Sequence, residues 1–233
     1  MEWMVGMKKA IGLLILIILI GSSGCVQKPN PVNPKGPNAT LTKALNDTEQ
    51  YLVGYFKGID FEYSLTPTNE CNGAPCSWSG SNAGNCTNWL FYYECIQKNE
   101  SGYFHKTIRL SVRYSTGGTK FIIMNQISTA LDTKTINETI SNIQNRSLRS
   151  VIHFESRDIF LISKSNNIWN STGYYLFKVA LNYYVKKENF NNTPVWWIRW
   201  EYKENKDRYD STYVDFYVNG INGTVLKIAY PSK

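Results

Sequence analysis

The chain reads as an α+β protein of two tandem modules, each a helix packed on an antiparallel β-sheet. Three observations predict this. Helix-spaced apolar stripes occur at residues 41–55 and again at 156–165. Each stripe is followed by strands with strict two-residue alternation. The strand segments also resemble one another across the two halves: Asn88–Cys95 overlays Val195–Tyr202, matching Trp89 with Trp196 and Tyr93 with Trp200. Gly117–Met124 likewise overlays Asn222–Ala229. An ancient duplication accounts for this, and so would the general likeness of amphipathic strands joined by Gly turns.

The amino end comes before either module. Lys8 and Lys9 precede an apolar run from Ala10 to Ile20, which exits through Gly21-Ser22-Ser23-Gly24 to Cys25. A charged start, a short apolar stretch and a small-residue exit make an export signal. The run is about half the ~20 residues a spanning helix needs. Residues 1–24 are therefore expected to be a signal peptide, and residues 25–40, with four prolines after Cys25, an extended tether.

In the first module, residues 41–128, Leu41, Ala44, Leu45, Leu52 and Tyr55 share one helical face, with Asp47 and Glu49 expected on the other; Gly58 closes the helix. Phe61–Leu65, Trp89–Cys95, Ile108–Tyr114 and Lys120–Ile127 alternate as strands, the last two joined at Gly117-Gly118. Residues 129–155 form a connecting helix with Thr135-x-x-Glu138 as its capping box. The second module, 156–233, holds a short helix over Ser156–Ser165, with Ile159, Phe160 and Ile162 inward, and strands at Tyr174–Lys186, Val195–Lys203, Thr212–Val218 and Thr224–Tyr230. Trp196, Ile198, Trp200 and Tyr202 line one side of its second strand, with Arg199, Glu201 and Lys203 on the other.

Cysteine usage agrees with export. Cys71, Cys76, Cys86 and Cys95 cluster in a Gly- and Asn-rich stretch, and an even number there predicts two disulfides in one of three connectivities. The competing structural zinc site needs paired C-x2-C knuckles, which the C-x4-C-x9-C-x8-C spacing lacks. The chain has 24 Asn and nine N-x-S/T acceptor sites, about twice the chance expectation. Asn38, Asn46, Asn99, Asn137, Asn145, Asn170 and Asn191 are the candidates for glycosylation; Asn85, beside a cysteine, and Asn222, in an Asn-Gly turn, are weaker.

Chemistry is harder to find. The two histidines, His105 and His153, form no metal-binding spacing; His105 is expected at the surface and His153 partly buried. No nucleophile elbow, phosphate loop or dinucleotide fingerprint occurs, so the expectation is a non-enzymatic protein with no cofactor and no metal. Asp207, Asp210 and Asp215 lack the EF-hand pattern and read as solvated charges rather than a calcium site. A net charge of +7 without a basic run gives no support for nucleic acid binding. Trp197, Tyr213 and Tyr217 fall opposite the core face, where they form either a ligand surface or the contact between modules.

Two resemblances carry these readings further. Residues 22–25 resemble the lipobox of prokaryotic lipoproteins, with Ser22 departing from the usual Leu. This implies a lipid on Cys25 after cleavage; without cleavage the apolar segment itself anchors the chain. Either way the expected location is the extracytoplasmic face of the cell membrane, and the sequon density fits an archaeal source. Tyr217-Val-Asn-Gly-Ile-Asn-Gly-Thr-Val-Leu-Lys-Ile228 resembles the closing hairpin of PepSY-type domains, with Asn219 in place of the usual Asp. It implies a cystatin-like helix on a sheet, and a role in binding or regulating an envelope protein or peptidase. The alternative is a surface protein that binds carbohydrate or another small ligand.

Overall fold

A computed structural model describes residues 39–77, 83–167, 175–203 and 211–231. The leader, Cys25, the tether with Asn38, and also Asn170, Asp207 and Asp210, lie outside the described residues. Helix α1 (Leu41–Tyr55) is followed by strands β1 (Asp60–Gly73), β2 (Asn88–Asn99), β3 (Gly102–Ser115) and β4 (Gly118–Leu131). Helices α2 (Ile136–Gln144), α3 (Leu148–Val151) and α4 (Ser156–Ser165) come next, then β5 (Tyr175–Lys187), β6 (Thr193–Lys203), β7 (Thr212–Asn219) and β8 (Val225–Ala229).

Two tandem modules are not what forms. The described strands make one antiparallel eight-stranded sheet in the order β4-β3-β2-β1-β5-β6-β7-β8. Two four-stranded meanders run outward from a central pair, in which Glu70–Gly73 of β1 lie against Leu181–Tyr184 of β5. The physical reason is the reach of β1. It continues past the expected strand Phe61–Leu65, through Cys71 to Gly73, and its far end meets β5. Left unpaired, either strand would expose a row of backbone donors and acceptors.

One core serves both halves. Helices α1, α3 and α4 contribute Leu41, Leu45, Leu148, Ile159 and Phe160 to a cluster that also contains Trp89, Phe91, Tyr93, Trp196, Ile198 and Trp200. The helices are cross-linked at their starts: Leu41 N donates to Ser156 Oγ at 3.2 Å, and Thr42 N to Glu155 Oε1 at 3.1 Å. Gly84, at φ +79°, lies so close to α4 that an added Cβ would sit 2.6 Å from Arg157 Cα. The loop of the first half is thus moulded to the helix of the second.

Local chemistry sets the helices. Thr40 caps α1 by accepting from Lys43 N. Its buried face takes Leu41, Ala44, Leu45 and Leu52, but also Asp47, which was expected outside. Asp47 Oδ2 accepts from Tyr114 OH at 2.7 Å and pairs with Lys43, so the carboxylate is satisfied where it is buried. The capping box expected at Thr135 does not form; its hydroxyl donates to Asp132 O, and the connecting helix splits into α2 and α3.

Among the described residues, helix cover on the other face of the sheet lies at one end. Ile136, Ile140 and Ile143 of α2 pack there with Ile96, Tyr63 and Tyr103. The chain then crosses to the core face, passing β1 where Thr68 bridges Ser147 and Asn69 N donates to Arg146 O at 3.0 Å. Among the described residues no helix is long and apolar enough to cross a membrane.

Candidate functional site

The four clustered cysteines make one bridge, not two. Cys76 and Cys86 are bonded, while Cys71 and Cys95 are buried thiols. Register explains the difference. Cys71 lies opposite Phe91, four positions short of Cys95, a separation of roughly 13 Å along the strand. A disulfide needs Cα atoms within about 7 Å. Burial pushes the Cys95 thiol up to about 12 and raises Cys71 further still, so both stay protonated.

Alternation along β6 and β7 delivers the predicted aromatic surface. Trp197, Tyr213 and Tyr217 sit on the face opposite the main core, each half-buried. They do not form a contact between halves. They pack on one another, within the second meander. Trp197 lies across from Tyr217, and the two rings stack with centroids 6.3 Å apart and planes 6° from parallel. Phe190, from the β5–β6 connection, extends the row, its ring 5.2 Å from Tyr217. On the other side the Arg199 guanidinium lies 4.0 Å from the Tyr213 ring centre and 4.9 Å from that of Trp197. Asp215 grips it through two 2.8 Å hydrogen bonds. Buried and ion-paired, Asp215 is not the solvated charge expected of it.

Asp215 also raises the Arg199 pKa, chiefly through those hydrogen bonds, so the cation is permanent. The result is a row in which the Arg199 guanidinium packs on the rings of Tyr213 and Trp197, and Trp197 stacks in turn with Tyr217.

Tyr184 carries this surface toward the centre of the sheet, lying between Val195 of β6 and Glu70 of β1. Burial, then the nearby charges of Glu70, Tyr217 and Tyr92, push its pKa up to about 12, so it remains a hydroxyl donor.

Sequence reasoning missed a polar cluster beside it. Glu94, 2% exposed, accepts from Thr68 Oγ1 at 2.8 Å, from Arg146 Nη2 at 2.9 Å and from Asn69 Nδ2 at 3.3 Å. His105 Nε2 lies 2.8 Å from Glu94 Oε2, the oxygen that Arg146 also bonds, so His105 is engaged in this cluster and is not a free surface residue. His153, by contrast, is exposed. Burial alone would raise the Glu94 pKa; hydrogen bonds from His105 and Thr68 and the Arg146 charge outweigh it, and the carboxyl stays ionised. The signal was the lone acid in an otherwise apolar and aromatic strand. Its partners are remote in sequence, which hid the cluster.

Of the candidate acceptors for glycan, Asn46, Asn99, Asn137, Asn145 and Asn191 are all exposed. Among the described residues no three His, Cys, Asp or Glu side chains are grouped to hold a metal.

No protein-family model matches the chain, PepSY included, and no curated protein matches it. Among solved structures the chain is similar to a protein of Clostridium difficile 630 described as a "putative lipoprotein". The two share 13% identity over 80% of this chain and 92% of the other, with a TM-score of 0.37. So loose a likeness carries neither fold nor role.

Proposed function

We propose that this is an exported, membrane-tethered, non-catalytic binding protein whose ligand surface is the sheet face bearing Trp197, Tyr213 and Tyr217, and whose ligand is carbohydrate. The observation that carries the reading is the parallel Trp197–Tyr217 stack, extended by Phe190 and by Arg199 with Tyr213. Sugar rings present flat C–H faces that settle on such rings while their hydroxyls stay solvated. A protein partner, in the envelope or a peptidase, was the first expectation. Around the Trp197 row the charge pattern favours sugar: Arg199 is paired with Asp215 and Lys178 with Glu201. Lys187 and Arg109, cations without an ionic partner among the described residues, lie elsewhere on the face. Export is supported by the leader, the proline-rich tether and a disulfide in a chain with few cysteines.

The test is binding of the intact protein to immobilised neutral polysaccharides and to a glycan array. Trp197→Ala and Tyr217→Ala are each expected to lower binding at least tenfold, without loss of folding. Wild-type protein that retains no glycan, or variants that bind as well as wild type, would end the carbohydrate reading.

A further inference from the structure

Strands β1 and β5 pair only over Glu70–Gly73 and Leu181–Tyr184, then part. Where they part, β1 carries a bulge between Thr68 and Cys71, with Asn69 in the left-handed region at φ 65°. A bulge of this kind breaks the alternation and re-aims side chains. The opening is a cleft of about 200 Å³ lined by Asn69, Glu70, Arg146, Tyr184, Val185 and Lys186. Its floor is fixed, because Arg146 is held by Glu94, by Asn69 and by the carbonyl of Asn142. Among the described residues the Glu70 carboxylate and the Lys186 ammonium have no hydrogen-bonding or ionic partner. Arg146 and Lys186 face Glu70 and Glu94 there, and the Lys187 ammonium lies 4.2 Å from the centre of the Tyr184 ring.

The cleft is also continuous with the aromatic row. Tyr184 lines it, lies across from Val195, and Trp197 is two residues along the same face of β6.

We propose that this notch is the terminal subsite of the aromatic face: it seats one neutral end sugar of the bound chain. It would lie beside Tyr184, whose ring Lys187 covers from one side, and its hydroxyls would bond to Glu70, Lys186 and the outer N–H groups of Arg146. The inference rests on the carbohydrate reading above. Size selects a single ring, since the volume is below the ~300–1,000 Å³ of sites for larger ligands. The Glu70 carboxylate on the rim disfavours an acidic sugar. A polyol needs acceptors and donors side by side, as Glu70 and Lys186 supply.

The experiment titrates the full protein with neutral hexose and N-acetylhexosamine tetrasaccharides and with their monosaccharides, by calorimetry and by amide chemical shifts. Glu70→Gln and Lys186→Gln should each weaken the best tetrasaccharide about tenfold or more and abolish monosaccharide shifts at Tyr184 and Lys186. Trp197→Ala should weaken the tetrasaccharide while those monosaccharide shifts persist. Wild-type affinity in both notch variants, with loss in Trp197→Ala, overturns the notch and leaves the aromatic face standing. Loss in the notch variants alone removes the face and keeps the notch. No binding by any probe removes both. An unchanged melting temperature in Lys186→Gln, an exposed position, guards against reading misfolding as lost affinity.

Discussion

The two faces of the sheet use the same residue types for opposite ends. Trp196 and Trp197 are neighbours in β6, yet Trp196 is wholly buried beneath the helices and Trp197 is half-buried on the other side. On the helix face, aromatics meet apolar partners: Tyr183 lies 4.9 Å from Trp196, and Phe160 5.1 Å from Trp200. Two polar tips there are tied off, Trp200 Nε1 donating to Ser163 Oγ and Trp89 Nε1 to Ala39 O, while Trp196 Nε1 is buried without a partner among the described residues. On the other face the rings meet Arg199, Lys187 and Arg109 instead. Aromatic content therefore says little about burial. What decides it is whether a helix arrives to cover the strand.

The largest expected effect tests this contrast directly. Trp196→Ala should cost about 3–5 kcal/mol through lost burial and a residual cavity, and Trp197→Ala about 1 kcal/mol. At roughly 2–4 °C per kcal/mol for a chain of this size, thermal melts would separate them clearly. Equal losses would mean that the second face is as enclosed as the first.

Much of the covered face could be read from the chain. Period-two alternation placed Trp89, Tyr93, Trp196, Ile198, Trp200 and Tyr202 inward, and all are buried. Helix spacing located α1, and for Ser156–Ser165 it points Ile159, Phe160 and Ile162 inward; the first two are buried and the third packs partly exposed against the core. Alternation also put Trp197, Tyr213 and Tyr217 together on the far side. What could not be read depends on contacts between remote residues. The β1–β5 ladder joins positions more than a hundred apart, and periodicity is blind to which strand neighbours which. The same blindness split one sheet into two modules. Asp47 and Glu94 were misjudged or missed because a buried carboxylate is tolerable only with partners, and those partners, Tyr114 and Arg146, lie far along the chain. The cysteines show the limit in another form: a count suggests pairing, but only register shows Cys71 and Cys95 out of reach.

Next in size is the lock where the chain passes between faces. Glu94→Gln leaves Arg146 without its anion and should cost about 3 kcal/mol in denaturant unfolding. The sign with pH follows from the lowered Glu94 pKa. A carboxyl that releases its proton more readily when folded stabilises fully above the ordinary range near ~4.3, and that contribution drains away as pH falls through the folded value. The wild-type advantage over Glu94→Gln should therefore be flat near neutrality and shrink in acid. A constant difference down to pH 3 would show that Glu94 is not ionised in the fold.

The disulfide ranks below it. Closing a short loop, Cys76–Cys86 should contribute about 2–3 kcal/mol, lost in the Cys76→Ser/Cys86→Ser pair. Alkylation after denaturation without reductant should mark Cys71 and Cys95 and spare the bonded two. Finding neither labelled would restore the two-bridge reading.

The smallest effect sharpens the comparison most, because it asks whether the open face is a built surface or a scatter of side chains. Arg199→Lys keeps the charge but loses the planar fork that bonds Asp215 twice and slides between Trp197 and Tyr213. Such stacking contributes about 0.5–1 kcal/mol at a partly exposed site. A double-mutant cycle pairing Arg199→Lys with Tyr213→Leu isolates it from the ion pair, which only the first substitution touches. A coupling energy near 0.5 kcal/mol that persists in high salt is the expected result, since ring and guanidinium are in contact and screening acts mainly on separated charges. Zero coupling would mean that the guanidinium is held by Asp215 alone and that the rings around it are free to move, which would leave the face without the rigidity a flat ligand requires.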